Sequence, residues 1–151
     1  MAALEKISTL NDMKTLMNEL HRLKAKFLFD FYAALQDFSS KKFLPQWLQK
    51  KNINNVFISD RGGDVLTKIN NSKKFSVVIY DLETPDLNGL QFLAELGKKP
   101  DLKSRCKVIL VTPKLAHEAR SKLLNLGAEV LISKPIGDNL QAAFEKIGLD
   151  Y

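Results

Sequence analysis

After Asn55 the chain is punctuated by four short β-branched and aliphatic runs: Val56-Phe57-Ile58, Val77-Val78-Ile79-Tyr80, Val108-Ile109-Leu110-Val111 and Val130-Leu131-Ile132. An amphipathic stretch follows each run, and this alternation predicts βαβ units around a mostly parallel sheet. The runs are almost continuously apolar, as strands covered on both faces must be. The expected architecture is therefore a three-layer α/β sandwich.

The intervening stretches carry helical spacing. Residues 63–71 place Val65, Leu66 and Ile69 on one face, and residues 87–96 place Leu90, Leu93 and Leu96 together behind Asn88, an N-cap residue type. Residues 116–126 align Ala119, Leu123 and Leu126 and stop at Gly127, a C-cap signal. The last stretch aligns Leu140, Phe144 and Ile147, with Asp138 as the expected cap. Arg61-Gly62-Gly63 lacks the spacing of a phosphate-binding loop and reads as a strand-to-helix turn.

The first 54 residues are less regular. Met13, Leu16, Leu20, Leu23 and Phe27 follow steps of three and four, which predicts a helix to about Phe27. Phe31-Tyr32-Ala33-Ala34-Leu35 then reads as a first strand ending at Gln36-Asp37. Ser39 or Ser40 would open a helix carrying Phe43, Leu44, Trp47 and Leu48, with Trp47 in the core. Pro45 requires a kink or a start near Leu44, because proline in a helix interior costs ~3 kcal/mol. A single helix from Thr9 to Phe38 is the rival reading.

Composition changes this picture mainly by exclusion. With 151 residues, 45% of them hydrophobic and 26% charged, the chain has the size of one globular domain. No apolar run reaches the ~18 residues of a membrane span, and the first 20 residues do not resemble a secretory signal. A soluble, cytoplasmic protein is the expectation. Cys106 has no second cysteine to pair with, and His21 and His117 lack metal-ligand spacing. The net charge of +6 is concentrated at Lys41, Lys42, Lys50 and Lys51 and again at Lys98, Lys99, Lys103, Arg105 and Lys107. Neither group is interleaved with aromatic residues, so both read as solvated faces rather than nucleic-acid or membrane contacts.

Ligands of open parallel sheets bind beyond the carboxyl ends of the strands. Those ends carry Asp37, Asp81, Thr112 and Ser133-Lys134-Pro135. Two carboxylates, a hydroxyl and an ammonium converging on one edge suit phosphoryl chemistry at a carboxylate nucleophile, with Mg²⁺ held by oxygen ligands.

These residues resemble the receiver domain of two-component response regulators. Val78-Ile79-Tyr80-Asp81-Leu82-Glu83-Thr84-Pro85-Asp86-Leu87-Asn88-Gly89 is similar to the family's phosphoacceptor strand and the loop after it. Gly63-Asp64-Val65-Leu66, Val111-Thr112, Gly127-Ala128 and Ser133-Lys134-Pro135 stand at family-like spacing. The likeness runs from about Phe29 to Ile147, with residues 1–27 a helical extension and 28–151 the receiver-like domain.

The resemblance implies a flavodoxin-like, doubly wound five-stranded parallel sheet of order 2-1-3-4-5. It makes Asp81 the phosphoacceptor, Thr112 the switch hydroxyl and Lys134 the phosphate partner, at a Lys-Pro bond usually cis. Asp37, Asp81 and the Glu83 carbonyl would hold Mg²⁺. A histidine kinase or phosphotransfer protein would donate, a downstream protein would read the output, and activity would be limited to self-phosphorylation and autodephosphorylation. Nucleic acid and membrane are not expected partners. The N-terminal helix could pair with a second copy or dock on its own domain.

Four positions depart from the family pattern. Gln36-Asp37 replaces two acidic residues, which weakens attraction for Mg²⁺; Pro113 follows the switch threonine without an N–H to give; Leu131 replaces the aromatic switch; and Thr84 precedes the proline in place of an apolar residue. A phosphorylation-independent pseudo-receiver, acting as a protein-interaction module, is the alternative. A flavin-binding protein is disfavoured, because the loop after the second strand or first helix has no Ser/Thr-rich phosphate cradle.

Overall fold

The computed structural model describes residues 10–149. The order is α1 (Leu10–Leu28), β1 (Phe29–Ala34), α2 (Phe38–Lys50), β2 (Val56–Ser59), α3 (Gly62–Asn71), β3 (Phe75–Asp81), α4 (Gly89–Gly97), α5 (Pro100–Ser104), β4 (Cys106–Thr112), α6 (His117–Asn125), β5 (Val130–Ser133), a 3₁₀ turn (Ile136–Asp138) and α7 (Leu140–Lys146). The five strands are parallel in the order β2-β1-β3-β4-β5. This is a flavodoxin-like arrangement, with a helix ahead of the first strand.

Although the strand runs are continuously apolar, their residues divide by alternation between two cores. Phe31, Ala33, Val77, Ile79, Ile109, Val111 and Ile132 face α2 and α7, where Leu44, Leu48, Leu140 and Phe144 meet them. Tyr32, Ala34, Val78, Tyr80, Val108, Leu110 and Leu131 face the other way, toward Val65, Ile69, Phe92, Leu93 and Leu123. Each fully buried side chain contributes roughly 1.5–3 kcal/mol, so coverage of both faces anchors the strands firmly. β3 is central and buried from Ser76 to Asp81, whereas edge strand β2 is only half-buried.

Several elements differ in detail from the sequence expectation. β1 begins at Phe29 and ends at Ala34, and Asp37 instead caps α2, its carboxylate accepting the Ser40 N–H at 2.9 Å. A carboxylate at the cap satisfies one of the helix's orphan donors, so α2 starts at Phe38 rather than at Ser39 or Ser40. Pro45 lies inside α2. Trp47 is half-buried, edge-on to Phe144 with ring centroids 4.8 Å apart, and Lys51 covers its ring. Short helix α5 was not foreseen; Pro100 in its first turn begins it. Asn139, not Asp138, precedes α7, and its amide donates to the Ser133 carbonyl instead of capping the helix.

Other expectations agree. Asn88 and Gln91 form a reciprocal capping box on α4, and Gly127 takes a φ of 116° after α6. In α1, Leu10, Met13, Leu16, Met17 and Leu20 are all exposed, so this part of the stripe is not docked on the domain. The side chains of His21, Leu23 and Phe27 lie outside the described residues. Part of the basic surface serves the fold: Arg105 donates to the Ser72 carbonyl at 2.7 Å, and Lys99 to Asn70 at 3.1 Å.

Candidate functional site

Parallel pairing brings the carboxyl ends of β3, β4 and β5 to one edge, with Asp81 opposite Val111 and Thr112 opposite Ser133. From the residue after β5, Lys134 extends its ammonium between two carboxylates. Its Nζ lies 3.0 Å from Asp81 Oδ2 and 3.1 Å from Asp37 Oδ1. The Asp81 side chain is only 4% exposed, and its other oxygen accepts the Glu83 N–H at 3.0 Å. A carboxylate so buried needs this positive partner, since an unpaired charge in a poorly solvated site is strongly disfavoured. The peptide bond between Lys134 and Pro135 is cis.

Protonation follows these contacts. Burial works against ionisation of Asp37, but the Ser40 hydroxyl and N–H, aided by Lys134, outweigh it and hold the carboxyl down at about 2. For Lys134, burial favours the neutral amine, yet Asp81 and Asp37 overcome it and raise the group above its ordinary value. Asp37 and Lys134 are therefore both charged at neutral pH.

Beside this cluster opens a cavity of about 630 Å³ lined by Asp81, Thr112, Pro113, Lys114, Arg120 and Lys134. Thr112 is buried at its wall. The structure thus brings together the sequence-identified Asp37, Asp81, Thr112 and Lys134. Glu83 enters through its N–H to Asp81. Among the described residues no group of three or more His, Cys, Asp or Glu is placed to hold a metal ion. The oxygen donors at hand are the Asp37 and Asp81 carboxylates, both engaged by Lys134.

Two departures from the family pattern find each other in space. The Gln36 amide donates to the Asp60 carbonyl at 2.9 Å and, at 3.4 Å, to the Thr84 hydroxyl. Thr84 is buried and donates to the Asp81 carbonyl at 2.7 Å. Gln36 and Thr84 therefore tie the segment after β1 to the backbone beneath Asp81. Leu131 remains packed in the helix-facing core.

Sequence reasoning missed the residue that holds the next loop. Asp86 spans the N-terminus of α3, accepting the Gly62 N–H at 2.9 Å and the Gly63 N–H at 3.0 Å. Burial opposes its charge, but the Gly63 and Gly62 N–H groups and Arg61 outweigh it and keep the carboxyl below its usual range. Tyr80 completes the tie by donating to the Leu87 carbonyl. Burial, with the Asp86 charge nearby, pushes the Tyr80 hydroxyl well above its ordinary value, so it remains a donor. No local spacing connects Asp86 to glycines more than twenty residues earlier; only the family-like Pro-Asp loop after the acceptor strand hinted at a role. Arg120 was read only as part of a helix, although it reaches the cavity.

Residues 36–145 match the response regulator receiver domain family, and the chain belongs to it. Its fold is similar to that of a signal receiver domain of a histidine kinase from Syntrophus aciditrophicus, at 21% identity and a TM-score of 0.65 over 80% of this chain and 89% of the other. A CheY-like receiver domain protein from Methanospirillum hungatei JF-1 gives 19% identity and 0.61 over 78% and 90%. Full-length FixJ from B. japonicum gives 19% and 0.63 over 81% of this chain and 57% of that one. No curated protein matches the sequence. The chain is thus a receiver domain of two-component signalling.

Proposed function

We propose that this receiver is phosphorylatable, with Asp81 accepting a phosphoryl group from a histidine kinase or phosphotransfer protein. The observation that carries the reading is Lys134 bridging Asp37 and Asp81 beside an open cavity. An Asp81 carboxylate oxygen forms a bond to phosphorus as the donor's P–N bond breaks. The released electron pair stays on the imidazole nitrogen, which a proton then neutralises. Lys134 loses one carboxylate charge and gains the phosphoryl oxygens, while the Thr112 hydroxyl turns toward them as the switch. Water attack at phosphorus then breaks the P–O bond to Asp81, releasing inorganic phosphate and restoring the carboxylate, so enzymatic activity is confined to the chain's own Asp81.

The donor set fits a hard cation that keeps most of its waters: Asp37, Asp81 and the Glu83 carbonyl would hold Mg²⁺, which would neutralise developing phosphoryl charge when bound. Gln36 supplies no charge, and Lys134 competes for both carboxylates, so binding is weak. The domain comprises residues 28–151, with 1–27 an extension. Exposed Leu10, Met13, Leu16, Met17 and Leu20 support pairing of that extension with a second copy, and output passes by protein contact. No helix among the described residues is long and apolar enough to cross a membrane, and a cytoplasmic site of action follows from the proposed donor.

A pseudo-receiver is the second reading, supported by Gln36, Pro113 and Leu131. Amide NMR titration with Mg²⁺ and then beryllofluoride separates the two. The phosphorelay predicts shifts around Asp81, Thr112 and Lys134 that vanish in Asp81→Asn. Well-dispersed spectra that stay silent in both proteins would establish the interaction module instead.

A further inference from the structure

The cavity beside Asp81 contains a gap and a candidate to fill it. Pro113 follows Thr112 and has no N–H, so the backbone offers no donor at that point of the wall. The same wall holds two cations besides Lys134, namely Lys114 and Arg120. They differ in support. Lys114 lies in a loop, between Pro113 and half-buried Leu115, whose residues form no backbone hydrogen bond among the described residues. Arg120 sits in the first turns of α6, its N–H bonded to the Ala116 carbonyl at 3.1 Å. Among the described residues its guanidinium joins none of the ion pairs.

We propose that Arg120 is a phosphoryl-binding residue of this receiver, its guanidinium contacting the oxygens on Asp81 that Pro113 leaves without a donor. The assignment rests on the phosphorelay reading and deepens it. The chemistry favours arginine: a planar fork of N–H donors matches two oxygens of a phosphoryl group, whereas an ammonium acts as a point charge. The group is anchored on a helix, so less side-chain and loop motion is lost on binding. Lys134, just after β5, and Arg120, on α6, then approach the phosphoryl oxygens from different elements of the cavity wall that also carries Thr112.

The test is beryllofluoride affinity, with Mg²⁺, in the full chain carrying Arg120→Gln, Arg120→Lys, Lys114→Gln or Pro113→Ala, alone and with Arg120→Gln. Arg120→Gln is expected to weaken binding roughly ten-fold or more, Arg120→Lys to recover part of that loss, and Lys114→Gln to bind as wild type does. In the Pro113→Ala background, where an N–H is restored, removing Arg120 costs less than in wild type. A merely structural Arg120 would not produce that coupling. Wild-type binding unaffected by Arg120→Gln, or weakened equally by Lys114→Gln, would overturn the contact and leave the acceptor reading intact. A wild-type chain that binds no beryllofluoride would sink both.

Discussion

The two loops that flank Asp81 are built in opposite ways. The loop from Leu82 to Asn88 is bonded at nearly every step: Glu83 and Thr84 to Asp81, Asp86 to Gly62 and Gly63, Tyr80 to Leu87, and Gly89 back to Leu82. Apart from the Ala116 carbonyl, which accepts the Arg120 N–H in the first turn of α6, the loop from Pro113 to Ala116 forms no such tie among the described residues, and α6 begins without a side-chain cap. The difference separates two duties around one carboxylate. One wall holds Asp81 in register, while the other has few bonds to break.

This contrast is open to direct attack, and the bonded loop should suffer most. A Cβ at Gly62 would fall 1.8 Å from the Tyr80 hydroxyl and 3.0 Å from the Leu87 carbonyl. Gly62→Ala should therefore destabilise by about 1–3 kcal/mol in urea denaturation, with partial rescue by Tyr80→Phe. A Gly62→Ala protein as stable as wild type would show that the loop yields easily. Asp86→Ala should cost about 0.5–2 kcal/mol, as loss of a helix N-terminal acceptor does. In NMR spectra that substitution should disturb Gly62 and Gly63 before it reaches Thr112. On the unbonded side, Lys114→Ala should stay within about 0.5 kcal/mol of wild type. A larger loss there would mean that the second loop is anchored after all.

The same contrast explains what the sequence disclosed. Strands from β2 onward, and the facing helices, followed from apolar runs because burial imposes the pattern at each residue. Asp81, Thr112 and Lys134 were legible because each directly follows or ends such a run. β1 was misplaced by two residues at its start, since Phe29 and Asp30 follow a helix without a turn signal between. Asp37 was read as a strand end, while its carboxylate serves two masters, the α2 N-terminus and Lys134. Asp86, Thr84 and Gln36 act across distant segments, and a linear pattern carries no trace of such contacts until the chain is folded. Short α5 lacks the length for periodicity to register.

The direct passage of α1 into β1 has a consequence for tethering. Leu28 is the last helical residue and Phe29 the first of the strand, so no linker separates the sheet from a helix that exposes Leu10, Met13, Leu16, Met17 and Leu20. The helix enters at the amino end of β1, whereas Asp81 stands at the carboxyl end of neighbouring β3, about 20 Å away at ~3.3 Å per residue. A protein bound through α1 would therefore leave the edge that carries Asp81 uncovered. It would also hold that edge at a short leash, where encounter depends on effective concentration rather than on bulk diffusion.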